Sequence, residues 1–218
     1  IESTILVHAA GSTVVQATKD LSANFEELES SELTAEQDVQ LENFYLEVFA
    51  PLLAEVTGKE VDAASFVPVS PAARYLQLAY TVPSPDFDSA IAVDDAGDGS
   101  AWSATHARYH NYFRTMTQRL DYEDVLLIDS AGTVVYSAYK GVDLGTNVAT
   151  GPFRFTELGT AFVQSISANV IDSVTFTDFG DYAPSLASPA GWAVTPRPTA
   201  SLRALSVFTT RSHPRVCS

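Results

Sequence analysis

A chain of 218 residues with 46% hydrophobic and 18% charged side chains can bury a core, which excludes a disordered chain. Its length suits one large domain, or one domain with a helical extension. A formal net charge of −15 repels phosphate backbones and anionic lipid, which argues against nucleic acid or a lipid surface as partner.

The single cysteine, Cys217, excludes an intrachain disulfide. No apolar run reaches the roughly 18 residues of a membrane span. The chain opens at Ile1 and reads as a piece of a longer protein.

Residues 1–60 read as a helical stalk. Over 12–29, Val14, Ala17, Leu21, Phe25 and Leu28 keep helical register, with acidic residues opposite. The segment 33–56 opens on a capping box, Thr34 with Gln37. Val39, Phe44, Val48, Leu52 and Val56 predict its buried face, and Pro51 should kink or end it. Ser70 followed by Pro71 marks another helix start. The cluster "DDAGDGS" lacks the glutamate that closes an EF-hand loop and reads as an exposed turn.

Ser100 begins a helix whose stripe runs Trp102, His106, Tyr109, Phe113, Met116 and Leu120. His106 and His110 share a face, but no third ligand accompanies them. Packed or hydrogen-bonded histidines are expected, with no metal and no cofactor. The stretch 124–139 reads as a β-hairpin turning at Ser130–Gly132, with Asp129 holding the turn. The loop after it, "KGVDLGTN", puts Lys140 and Asp143 at its rim. A helix over 155–168 turns Leu158, Ala161, Phe162 and Ile166 inward. A third strand over 173–182 sets Val174, Phe176 and Asp178 on one face. The fold class is therefore α+β: long N-terminal helices, then a mainly antiparallel sheet flanked by helices. One face of such a sheet can close over a small ligand.

Four strings in order, "GSAWSATHARYHNYFR", "DVLLIDSAGTVVYSAYKGVDLGTN", "GPF" and "TDFGDYAPS", resemble the extracytoplasmic Cache (PAS-like) sensor domains of bacterial transmembrane receptors. The likeness is nearest to those ahead of adenylate or guanylate cyclase domains and of chemotaxis receptors. It covers roughly 70–190, and the N-terminal helices match in kind only. It implies a PAS-like module over 61–218 in the periplasmic or extracellular part of a bacterial inner-membrane protein. Membrane contact would run only through flanking helices outside this chain. The implied role is small-molecule sensing for signal transduction (cyclase, chemoreceptor or histidine kinase), not catalysis.

Carried over by position, the implied ligand-binding residues are Tyr109, Phe113, Tyr136, Lys140, Asp178 and Tyr182, with Tyr112 and Arg114 behind them. Asp178 would meet a ligand amine and Lys140 a ligand carboxylate, so the partner would be an amino acid or a small organic acid. The N-terminal helices would serve as a homodimer stalk.

Beyond about Ala190 the likeness ends. After Asp181 no Asp or Glu occurs, while Arg197, Arg203, Arg211 and Arg215 supply 4 of the 12 basic residues. Pro196 and Pro198 stand where a central strand would run. A divergent edge hairpin, a reading-frame change and an appended tail all fit this atypical segment, 190–218. The sequence carries no nucleophile elbow, Walker loop or dinucleotide fingerprint. The alternative to a sensor is a structural or partner-binding module without a small-molecule ligand.

Overall fold

The computed structural model describes residues 2–84, 86–168, 173–199 and 202–211, with 168, 196–199 and 202–211 as backbone alone. Strands β1 (Tyr122–Ile128) and β2 (Val134–Ser137) form the expected antiparallel hairpin. Its turn is built by Asp129, whose Oδ1 accepts from the backbone N–H groups of Ala131 (2.9 Å) and Thr133 (2.8 Å). Gly132 sits at φ +97°, where a Cβ is strained.

The third strand is broken in two, β3 (Thr175–Phe176) and β4 (Gly180–Tyr182), and both halves pair with β5 (Ser188–Thr199). On its other side β5 pairs with β6 (Leu202–Arg211), which pairs in turn with β1. The sheet order is β2-β1-β6-β5-β3, all antiparallel, a PAS-like α+β plan. The atypical segment thus supplies the two middle strands. Its prolines fit because β3 pairs with β5 only as far as Val194. Pro196 and Pro198 are two apart, so the N–H groups they lack belong to one edge of β5. The alternate residues Thr195, Arg197 and Thr199 carry the register with β6 onward.

Helices α1 (Glu2–Ala10), α2 (Ser12–Leu28) and α7 (Ala101–Leu120) cover one sheet face. Val14, Ala17, Leu21, Phe25 and Leu28 are all buried, as their register predicts. They share one core with Phe113 and Met116 of α7, Leu127 of β1 and Val135 of β2. Each such large apolar side chain contributes about 1.5–3 kcal/mol by leaving water. The first two helices are therefore part of the sheet's core. Helix α8 (Glu157–Ala168) covers the opposite face, packing Leu158, Ala161 and Phe162 with Leu126, Ile128, Trp192 and Val194.

The remaining helices form an outer layer. α3 (Ala35–Asn43) runs through a π-helical turn (Phe44–Phe49) into α4 (Ala50–Thr57). The Thr34–Gln37 capping box is formed in both directions. The buried stripe is Leu41, Tyr45, Phe49 and Leu53, whereas Val39, Val48, Leu52 and Val56 are exposed, contrary to expectation. Two apolar stripes compete on this segment, and the one with two large rings buries more area. Pro51 stands just after the π-helical turn and does not end the helix, which runs on to Thr57. α5 (Pro71–Leu76), capped by Ser70, enters a second π-helical turn (Gln77–Thr81), and α6 (Phe87–Ala92) follows. Among the described residues no helix is long and apolar enough to cross a membrane.

Candidate ligand cavity

The α8 side of the sheet does not close completely at the end where β1 begins. Asp124 lies on the same face of β1 as Leu126 and Ile128, but α8 does not cover it. A cavity of about 100 Å³ remains there, room for roughly three waters or a ligand of a few heavy atoms. Ala190 and Trp192 of β5 and Tyr182 of β4 line it from the sheet. Tyr139, Gly141 and Asp143 line it from the loop after β2, and Phe87 and Asp88 from α6.

Two carboxyl groups set its chemistry. Asp124 is partly open to the cavity, and its acceptors are well used. Oδ1 accepts from the N–H groups of Val125 (2.6 Å) and Ala138 (3.0 Å), and Oδ2 from the Ser137 hydroxyl (2.8 Å). Burial, and then the neighbouring Asp143 carboxylate, push its acid up to about 7. Asp143 is 2% exposed. Its Oδ2 accepts from the Tyr182 hydroxyl at 2.8 Å, while Oδ1 has no hydrogen-bond partner among the described residues. Burial pushes this carboxyl up to about 6. A buried acceptor without a donor is costly, and a ligand N–H or a cation offsets that cost.

The loop that presents Asp143 is held from behind by both π-helical turns. Gln77 donates to the carbonyls of Val142 (2.9 Å) and Leu144 (2.8 Å), one on each side of Asp143. Its own oxygen accepts from the Tyr45 hydroxyl. Thr81 donates to the Lys140 carbonyl at 2.8 Å. π-Helical turns recur at functional sites because they re-aim side chains within a helix.

Of the residues named from sequence, Tyr182 lines this cavity. Phe113 and Tyr136 come together, with ring centroids 4.7 Å apart, but in the sealed core under α7. Lys140 points to that side too. It is 1% exposed, and its Nζ lies 2.8 Å from the Ala90 carbonyl, so it cannot serve a ligand carboxylate in the cavity. Tyr109 donates to Asp20 of α2 at 2.7 Å, and Tyr112 meets His8 of α1 at 3.2 Å. Arg114 pairs with Asp94 at 2.7 Å. Asp178 is exposed and does not line the cavity. The face it was expected to share is not an inward one, because Phe176, two residues before it, is 53% exposed, and the strand breaks between the two halves around Asp178.

The residues that do line the cavity include Asp124, Tyr139 and Trp192, which sequence reasoning missed, and Asp143, which it placed only at a loop rim. One signal was available for Asp124: an acid opening an apolar strand, on the face that its neighbours at two-residue steps bury. His106 and His110 stack with ring centroids 4.3 Å apart, on the α7 side. Among the described residues no group of three or more side chains is placed to hold a metal.

No family model matches the chain, and no curated protein matches it. Among solved structures it is similar to the sensor domain of the V. cholerae histidine kinase DctB, at 16% sequence identity and a TM-score of 0.38. That match covers 79% of this chain and 57% of that one, so the chain spans a little over half the length of the DctB domain.

Proposed function

We propose that this chain is a non-catalytic sensing module of the extracytoplasmic kind carried by bacterial membrane receptors, and that its cavity captures a small organic cation. The observation that carries the reading is the buried Oδ1 of Asp143, without a hydrogen-bond partner among the described residues, on a side chain that lines a cavity walled by rings. Asp88, Glu123, Asp124 and Asp143 all line that cavity, and among the described residues no Lys, Arg or His does. Phe87, Tyr139, Tyr182 and Trp192 offer aromatic faces, which attract cations. This lining supports a ligand that carries positive charge over the amino acid or small organic acid expected from the sequence. The chain's net charge of −15 favours the approach of such a ligand.

The test is calorimetry with tetramethylammonium and short alkylamines set against acetate and succinate. The cations should bind and the acids should not. Stabilisation should grow with the logarithm of cation concentration, to about 2.7 kcal/mol at a hundredfold excess over Kd. Binding by the acids alone, or by neither class, would refute the reading.

A second reading, docking of another copy of the chain, is favoured by Val48, Leu52 and Val56. They form an exposed apolar strip on the outer layer at four-residue spacing. Sedimentation of Leu52→Glu beside the parent chain tests it. A concentration-dependent dimer that the variant loses would support it, and a monomer in both would exclude it.

A further inference from the structure

Beneath the cavity wall, on the α7 side, lies a buried basic cluster that the ligand reading does not use. Lys140 takes φ +53°, a backbone conformation that lysine rarely adopts, and turns its amine inward. Nζ lies 2.8 Å from the Ala90 carbonyl, 3.2 Å from the Ala138 carbonyl and 3.1 Å from His110 Nε2. His110 Nε2 is also 2.7 Å from the Ile91 carbonyl, and its Nδ1 is 2.7 Å from the Tyr136 hydroxyl. A carbonyl only accepts, so Nε2 carries the proton and Nδ1 accepts from Tyr136. An ammonium at Lys140 would then set one of its N–H groups against the N–H of His110. A neutral amine instead donates to Ala90 and Ala138 and turns its lone pair toward His110 Nε2–H, a proton it then shares with the Ile91 carbonyl. That form sets no N–H of Lys140 against the N–H of His110.

The Ala90 and Ile91 carbonyls held in this way belong to α6, and a further contact holds the residues just after it. His106 Nδ1 takes the Asp94 carbonyl at 2.7 Å. Arg114 meets the Asp94 carboxylate at 2.7 Å. The other end of α6 walls the cavity through Phe87 and Asp88, and Phe87 packs edge-on against Tyr139 with centroids 5.6 Å apart.

We infer that the neutral Lys140 amine, with His110 and His106, is a proton-sensitive latch on α6, and that protonating Lys140 loosens α6 and opens the cavity. The charged and titratable groups around it are His106, His110 and Arg114 on α7, Tyr136 on β2, Asp124 on β1 and Asp94 after α6. Arg114 disfavours the ammonium, whereas Asp124 and Asp94 favour it. Desolvation dominates and brings the amine down to about 7, so the switch falls near neutrality. The histidines are held neutral through that range: burial and Lys140 push His110 down to about 4, and His106 is pushed well down by the same causes.

The latch is read without any ligand, so its failure and that of the cation reading are distinguishable. Lys140 is one of only three lysines, with Lys19 and Lys59. The carbon-13 shift of each lysine Cε, followed with pH in the whole chain, reports each amine separately. Lys140 should titrate near neutrality. Amide exchange over 86–94, corrected for its intrinsic pH dependence, should speed several-fold between about pH 8.5 and about pH 6, with the same midpoint. Exchange in α2 should not follow it. In Lys140→Met the pH dependence over 86–94 should vanish. Titration of Lys140 in the alkaline range of a solvated lysine, or exchange over 86–94 indifferent to pH in the parent chain, would overturn the inference.

Discussion

Asp143 holds a carboxylate where the fold alone would prefer a neutral group. Its folded acid is raised to about 6, above the ordinary 3.8, so the folded chain holds the proton longer than the unfolded one. Stability from this group is therefore full below the ordinary carboxylate range and is lost as pH climbs through about 6. Asp124, raised to about 7, acts in the same direction over a slightly wider window. Asp143→Asn should then raise stability at pH 8 by on the order of 1–3 kcal/mol, since Asn still accepts from Tyr182 and carries no buried charge. The same variant should lose affinity for tetramethylammonium. Denaturant unfolding and calorimetry on one preparation check both. A variant that is less stable and binds as before would show that Asp143 is structural.

Among the elements, the hairpin was legible because its signals are local. Asp129 and Gly132 specify the turn wherever the rest of the chain goes, and Gly132 adopts the positive φ that the turn requires. Gly132→Val should destabilise by roughly 1–2 kcal/mol, through strain at that φ and a Cβ about 3.0 Å from Asn147 Oδ1. An unchanged melting temperature would contradict this. The face of α2 was legible too, as one unopposed stripe. The α3–α4 segment was not, because Leu41–Tyr45–Phe49–Leu53 and Val48–Leu52–Val56 are both helical stripes and only the tertiary partner chooses between them. The break in the third strand was equally hidden, and with it the outward placement of Asp178. The two π-helical turns left no signature in the periodicity, yet they carry the side chains that fix the Asp143 loop. Gln77→Leu leaves the Val142 and Leu144 carbonyls and the Tyr45 hydroxyl without their partner, and should cost about 2–4 kcal/mol by thermal unfolding. Gln77→Glu keeps an acceptor for Tyr45 but donates nothing to the loop. It should weaken cation binding by at least as much as Leu does.

For the whole molecule, the α+β class and the antiparallel sheet followed from the alternation of helical and strand patterns. The cavity did not, because it is assembled by residues far apart in the chain: Asp88, Asp124, Asp143, Tyr182 and Trp192 come from five different elements or loops. Its acidity is in keeping with the chain's net charge of −15. The claim that joins these levels is that positive charge on the ligand, and not its shape, is what the cavity recognises. Calorimetry with choline and with its neutral isostere, carbon in place of the quaternary nitrogen, tests that most directly, since the two differ in charge and hardly in volume. The account predicts that choline binds, that the isostere binds at least tenfold more weakly, and that Asp143→Asn removes the difference. Equal affinity for both molecules, or a difference that survives in Asp143→Asn, would contradict it.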